Sequence, residues 1–138
     1  MKFAARHWLL KGLALLACTS FLTGCGFVHD EVVTGPYRLV AVDIDADMSL
    51  CYSLGNDAIG RVNETVFAVG WNDTYVVAKQ HPDNDRKITH YYFIERSKDG
   101  PYVDPPECVT GPLTEMEFRQ KQQELNLPAF SRTISSLE

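Results

Sequence analysis

"TVFAVGWNDTYVVAKQ", residues 65–80, is the stretch on which the fold turns. Two runs of β-branched and aromatic residues flank Asn72-Asp73, whose short polar side chains tolerate the left-handed backbone of a tight turn, so the stretch predicts an antiparallel hairpin. Gly70, just before the turn, reads as a bulge. Downstream, the polar "HPDNDRK" (81–87) is a loop and "ITHYYFIE" (88–95) a further strand. Upstream, "MSLCYSL" (48–54) alternates, with Met48, Leu50, Tyr52 and Leu54 on one face and Ser49, Cys51 and Ser53 on the other. "YRLVAVDI" (37–44) is apolar on both faces, as a central strand is. The turn-rich "GNDAIGRVNE" (55–64) interrupts the series.

One helix is expected in "LTEMEFRQKQQELNLP" (113–128). Thr114 with Glu117 makes a capping box, Leu113 with Phe118 a hydrophobic staple, and Asn126 before Leu127-Pro128 a stop. Its apolar stripe is narrow: Phe118 and Leu125, with Met116 nearby. "SKDGPYVDPP" (97–106) is loop by composition, and the tail "AFSRTISSL" (129–137) is a candidate last strand. The expected fold class is therefore α+β, mostly β: an antiparallel meander of about five to six strands with one C-terminal helix packed on the sheet.

The N-terminus is organised differently. Lys2, Arg6 and Lys11 precede or flank the apolar "GLALLACTSFL" (12–22), with no acid in residues 1–24, which reads as a secretory signal rather than the longer run a membrane-spanning helix needs. Leu22-Thr23-Gly24-Cys25 resembles the lipobox of bacterial lipoproteins. The resemblance implies cleavage before Cys25 and acylation of it. Gly26, rather than Asp, in the next position implies export to the outer membrane in enteric-type bacteria. The expected organisation is a signal peptide at 1–24, a lipidated tether at 25–36 ("GFVHDEVVTGP" after Cys25), and a single periplasmic domain at 37–138.

Without the signal, 10 basic residues face 18 acidic ones, a net charge of −8. Such a domain is a poor partner for nucleic acid, whose binding rests on Lys and Arg neutralising phosphates, but suits a basic protein surface. Of the four cysteines, Cys18 leaves with the signal and Cys25 is lipidated. Cys51 and Cys108 remain, and two thiols in an oxidising compartment predict a disulfide. The alternative is a pair of buried free cysteines.

Motifs for chemistry are sparse. There is no G-x-S-x-G elbow, and His29, His81 and His90 lie in the tether, in a loop before a proline and in a strand. Asp43, Asp45 and Asp47 take positions 1, 3 and 5 of a calcium-loop pattern, but Met48 and Leu54 stand where that loop needs Gly and Glu. Neither a metal nor any other cofactor is expected, nor enzymatic activity.

The lipobox together with "YRLVAVDIDADMSLCYSL", "ETVFAVGWNDTYVVAKQHP", "YYFIER", "VTGPLTEMEF" and "LNLP" resembles small bacterial lipoproteins that include the immunity proteins of type VI secretion lipase effectors. The resemblance spans roughly residues 22–130. It implies a lipid-anchored protein that binds a cognate secreted phospholipase in the periplasm and neutralises it. An envelope structural or assembly lipoprotein is the alternative. No motif marks the contact residues. The surface candidates are the acidic turn Asp43, Asp45 and Asp47, the hairpin residues Trp71, Asn72, Asp73 and Tyr75, and the loop residues Asp83 and Asp85.

Overall fold

A computed structural model describes residues 26–138. The expected signal peptide and lipid-bearing Cys25 lie outside the described residues. Strands β1 (His29–Thr34), β2 (Tyr37–Ala41), β3 (Ser49–Ser53) and β4 (Ala58–Val62) form one antiparallel sheet in that order. Strands β5 (Val66–Trp71), β6 (Tyr75–Gln80), β7 (His90–Glu95), β8 (Val109–Leu113) and β9 (Arg132–Thr133) form a second, ordered β8-β7-β6-β5-β9. A short helix α1 (Pro105–Cys108) precedes β8, and the main helix α2 (Glu115–Leu125) follows it. The described residues are thus mostly β with one main helix, but they form nine strands in two sheets where the sequence predicts five to six in one meander.

Each extra strand hides from the alternation rule for its own reason. The segment 25–36, which reads as a tether, is strand from His29 onward, with Glu31 opposite Leu39 and Val33 buried. It is an edge strand, and its charged outward residues disguise it. In β4 a bulge shifts the register between Leu50↔Val62 and Cys51↔Gly60, so Ile59 and Val62 fall out of phase. Strand β8 contains Gly111-Pro112, tolerated because β8 is the edge of its sheet.

The two sheets face each other across a core that includes Tyr37, Leu39, Leu50, Val66, Val76 and Ile94. Helix α2 covers the opposite face of the second sheet, where Val77, Tyr91, Phe93, Phe118 and Leu127 form a second core. Strands β6 and β7 are therefore buried on both faces: Val76 and Ala78 point into the sandwich and Val77 toward the helix. The helix ends are as expected. The Glu117 N–H donates to Thr114 Oγ1 at 3.2 Å, the Thr114 N–H donates to Glu117 Oε2 at 2.7 Å, and Asn126 closes the helix at φ 56°. The stripe is narrower than expected, because Met116 is 80% exposed.

The loop 96–104 crosses back over the first sheet and is held there by a buried ion pair. Arg61 of β4 donates from Nε to both carboxylate oxygens of Asp99 at 3.0 Å and from Nη2 to the Gly100 carbonyl at 3.0 Å. The Tyr37 hydroxyl donates to Asp99 Oδ2 at 2.9 Å. Both charged side chains are wholly buried.

This pair, rather than a disulfide, anchors the loop. Cys51 and Cys108 are both buried and both free. Leu50 and Tyr52 point into the sandwich, so the pleat turns Cys51 to the outer face of the first sheet, whereas Cys108 lies inside the core. A bond needs Cβ atoms about 3.5–4.5 Å apart, and the sheet stands between these two. Burial pushes each thiol up to about 11 from the ordinary 9.0. Two results are expected from a domain beginning at Gly26. Thiol titration finds both groups only after unfolding, and reductant leaves the melting temperature unchanged. Between pH 9 and 11 the folded chain holds thiol protons that the unfolded chain has lost. The associated stability is whole below pH 9 and disappears as the pH rises through about 11, at most about 3 kcal/mol per thiol. A pH titration of the urea midpoint measures it.

Candidate functional site

The residues proposed for partner contact fall at two ends of the sandwich. Thr65 and His81 exchange backbone hydrogen bonds at 3.1 and 2.9 Å, Thr65 Oγ1 donates to the Ala46 carbonyl, and the Val66 N–H donates to Met48 O at 2.7 Å. These bonds bring the Asp43–Asp47 turn beside the loop with Asp83 and Asp85. The Asp47 carboxylate is turned back on its own turn, accepting the N–H groups of Asp43 and Ile44 at 3.2 and 3.1 Å. Trp71, Asn72, Asp73 and Tyr75 lie at the other end, where Arg96 donates to the carbonyls of Thr74 and Asn72 at 2.9 and 2.7 Å. The length of β5 and β6, about 20 Å, separates the groups.

The hairpin turn is also built otherwise than expected. Asn72 and Asp73 are not left-handed; the Asn72 Oδ1 accepts the N–H groups of Thr74 and Tyr75 at 2.9 and 2.7 Å. Left-handed backbone occurs instead at Asp83 and Asn84. Tyr75 packs edge-on against Phe93, with ring centroids 6.0 Å apart, while Trp71 stays 38% exposed. His81 is buried, stacked on Phe67 at 4.1 Å, and donates from Nδ1 to the Ile88 carbonyl at 2.7 Å, which holds the β6–β7 loop to the sheet. Among the described residues no three His, Cys, Asp or Glu side chains are grouped to hold a metal ion.

Charge separates the clefts of the surface. A cleft of about 320 Å³ on the outer face of the first sheet contains Asp30 and Arg38, which neutralise each other at 2.7 Å. A second, of about 280 Å³, lies over Arg61, which is committed to Asp99. Another, of about 210 Å³, lies between α2 and the second sheet; Glu115 and Arg119 in it pair with each other, and Lys79 makes no ion pair among the described residues. The Lys79 Nζ sits 4.8 Å from the Phe130 ring centroid and 5.6 Å from that of Tyr91. Among the described residues no carboxylate is within ion-pair distance of it, in a chain where acids far outnumber bases.

The floor of this cleft is an aromatic triad. Tyr91, directly across from Lys79 in the β6–β7 register, has its ring centroid 5.2 Å from that of Phe118, which is 5.4 Å from that of Phe130. Burial, reinforced by the Glu115 charge, raises the Tyr91 phenol above its ordinary range. On the rim, Arg119 pairs with Glu115 and Gln122 donates to the Pro128 carbonyl at 3.4 Å. Phe130 reaches the floor because Gly70 lets the segment after α2 pass: a Cβ at Gly70 would overlap the Ala129 carbonyl. The Ser131 N–H then donates to Val69 O at 3.0 Å. Gly70 is a point of close approach; the bulge lies between Val66 and Ala68.

The chemistry on offer is an ammonium held by ring faces between apolar walls, a combination suited to an anionic group flanked by apolar surface. Sequence reasoning missed Lys79. Alternation places it on the Val77 and Tyr75 face of β6, but nothing local shows that α2 and Phe130 enclose it.

Residues 35–131 match the model of a family described as "Protein of unknown function (DUF3997)". No curated protein and no solved structure matches the chain. The family match runs from the β1–β2 turn to the residue before β9 and includes both layers of the cleft. Because it spans well over half of the sequence, the chain belongs to the DUF3997 family.

Proposed function

We propose that this chain is a lipid-anchored binding protein of the bacterial envelope, held at the outer membrane and facing the periplasm, that acts by contact rather than by turnover. The observation that carries the binding role is the Lys79 ammonium, in no ion pair among the described residues, over Tyr91 and Phe130 in an acidic domain. It selects a partner that inserts a carboxylate between apolar side chains. The resemblance of the sequence to immunity lipoproteins supplies the partner class, a secreted lipase effector, which the bound domain neutralises.

Co-expression tests this reading. A periplasm-directed lipase from the adjacent locus kills cells that lack the protein and spares those that carry it. Lys79→Glu weakens the complex by about 2 kcal/mol or more, roughly thirty-fold in Kd, while the loss of its contacts with Tyr91 and Phe130 lowers the melting temperature by only a few degrees and leaves the domain folded at the assay temperature. Cys25→Ala keeps the affinity of the purified domain but loses the membrane location. Equal killing with and without the protein sinks the immunity role and leaves the envelope-assembly role in its place.

A further inference from the structure

We infer that the end of the sandwich carrying Phe27, Val28, Val42 and Ile44 seats directly on a phosphatidylethanolamine-rich bilayer, so the domain stands on the membrane in one orientation. The inference rests on the lipid-anchored reading and adds to it a surface and a direction.

The anchor has almost no slack. The Val28 N–H already donates to the Ala41 carbonyl at 2.9 Å, the first bond of the sheet. Only Gly26 and Phe27 separate it from Cys25. Three Cα steps reach at most about 10 Å, so acyl chains on Cys25 hold this end of the sandwich within that distance of the bilayer surface. A 12-residue tether would have let the domain tumble freely; the strand from His29 removes that freedom.

The surface brought to the membrane is apolar at its tips. Val28 and Val42 flank the His29↔Ala41 pair where β1 begins and β2 ends, and Ile44 follows in the turn. Val28, Val42 and Ile44 are all more than half exposed, and Phe27, 45% exposed, borders the outer-face cleft beside Arg38 and Val40. No partner element covers them among the described residues. The carboxylates at the same end decide the lipid. Asp43 and Asp45 bracket Ile44 and are exposed, and Asp83 and Asp85 lie on the adjoining loop. This set repels an anionic surface but faces the ammonium of an ethanolamine headgroup favourably. Asp47 is withdrawn into its turn, and Asp30 is paired with Arg38.

The seat sends the Trp71–Tyr75 hairpin to the far end, about 20 Å from the membrane. Trp71 is the only tryptophan outside the signal, so it reports on that end. The test uses the full lipidated protein in phosphatidylethanolamine vesicles with brominated acyl chains. Native Trp71 emission is unaffected. Ile44→Trp in a Trp71→Phe background, and Val42→Trp as a second reporter, lose emission about two-fold or more, the depth expected for an interfacial apolar face. Raising the phosphatidylglycerol fraction weakens this quenching. Vesicle-bound protein with neither reporter quenched, or with Trp71 quenched as strongly, overturns the seat and leaves the anchor intact. Protein that does not float with vesicles overturns both.

Discussion

Asp99→Ala is expected to lower the unfolding free energy by about 3–5 kcal/mol, because it strands the Arg61 guanidinium in a site from which water is excluded. Arg61 is held by four hydrogen bonds, to both Asp99 oxygens and to the carbonyls of Gly60 and Gly100. Its charge also lies 5.2 Å from the centroid of Tyr52. Burial opposes the Arg61 charge, but the bonds and charge of Asp99 outweigh it and keep the guanidinium protonated. Without Asp99 only the two carbonyls and the Tyr52 ring offset the burial cost, and none of them supplies a counter-charge. The paired change Arg61→Leu with Asp99→Leu should recover much of the loss, since an apolar pair of similar volume often matches a buried ion pair. Tyr37→Phe removes one hydrogen bond to a charged acceptor and should cost about 1.5–3 kcal/mol. Urea titrations of the three variants complete the test. If Asp99→Ala and the double variant lose equally, the loop is held by packing and not by the pair.

The second large effect is at Phe118, where truncation to Ala should cost about 3–5 kcal/mol. Phe118 is 2% exposed and is the buried anchor of α2, meeting Tyr91 and Phe130. Its removal opens the floor of the Lys79 cleft and frees the helix from the sheet. Met116→Ala, two residues away on the exposed face, should change stability by less than about 0.5 kcal/mol. Far-ultraviolet circular dichroism during melting separates the cases. Loss of helix signal ahead of the global transition in Phe118→Ala would show α2 detaching alone, and equal melting of both variants would contradict the assignment of Phe118 as the anchor.

How much of this was legible beforehand depended on the range of the physics. The capping box at Thr114 and Glu117 and the stop at Asn126 are local hydrogen-bond patterns, and they hold residue for residue. The 65–80 hairpin is likewise local, although Asn72 makes its turn by accepting backbone N–H groups rather than by left-handed geometry. The strands that stayed hidden broke the local signal: β4 by a bulge, β8 by a proline at an edge, β1 by its charged outward side chains. The disulfide expectation came from counting thiols, but pairing depends on which side of a pleat each thiol takes, and Cys51 and Cys108 are both free.

By itself the sequence determined the elements whose partners lie within a turn or a hairpin: the capped helix, the β5–β6 pair, the alternation in β3, and the acidic balance of the domain. Tertiary structure alone decided that two sheets face each other, that Arg61 meets Asp99 at 38 residues' remove, and that Lys79 lies over Phe130. The reason is physical. Capping, turn geometry and pleat alternation are set by backbone bonds between near neighbours, whereas burial of a charge and closure of a cleft depend on which distant surfaces exclude water together.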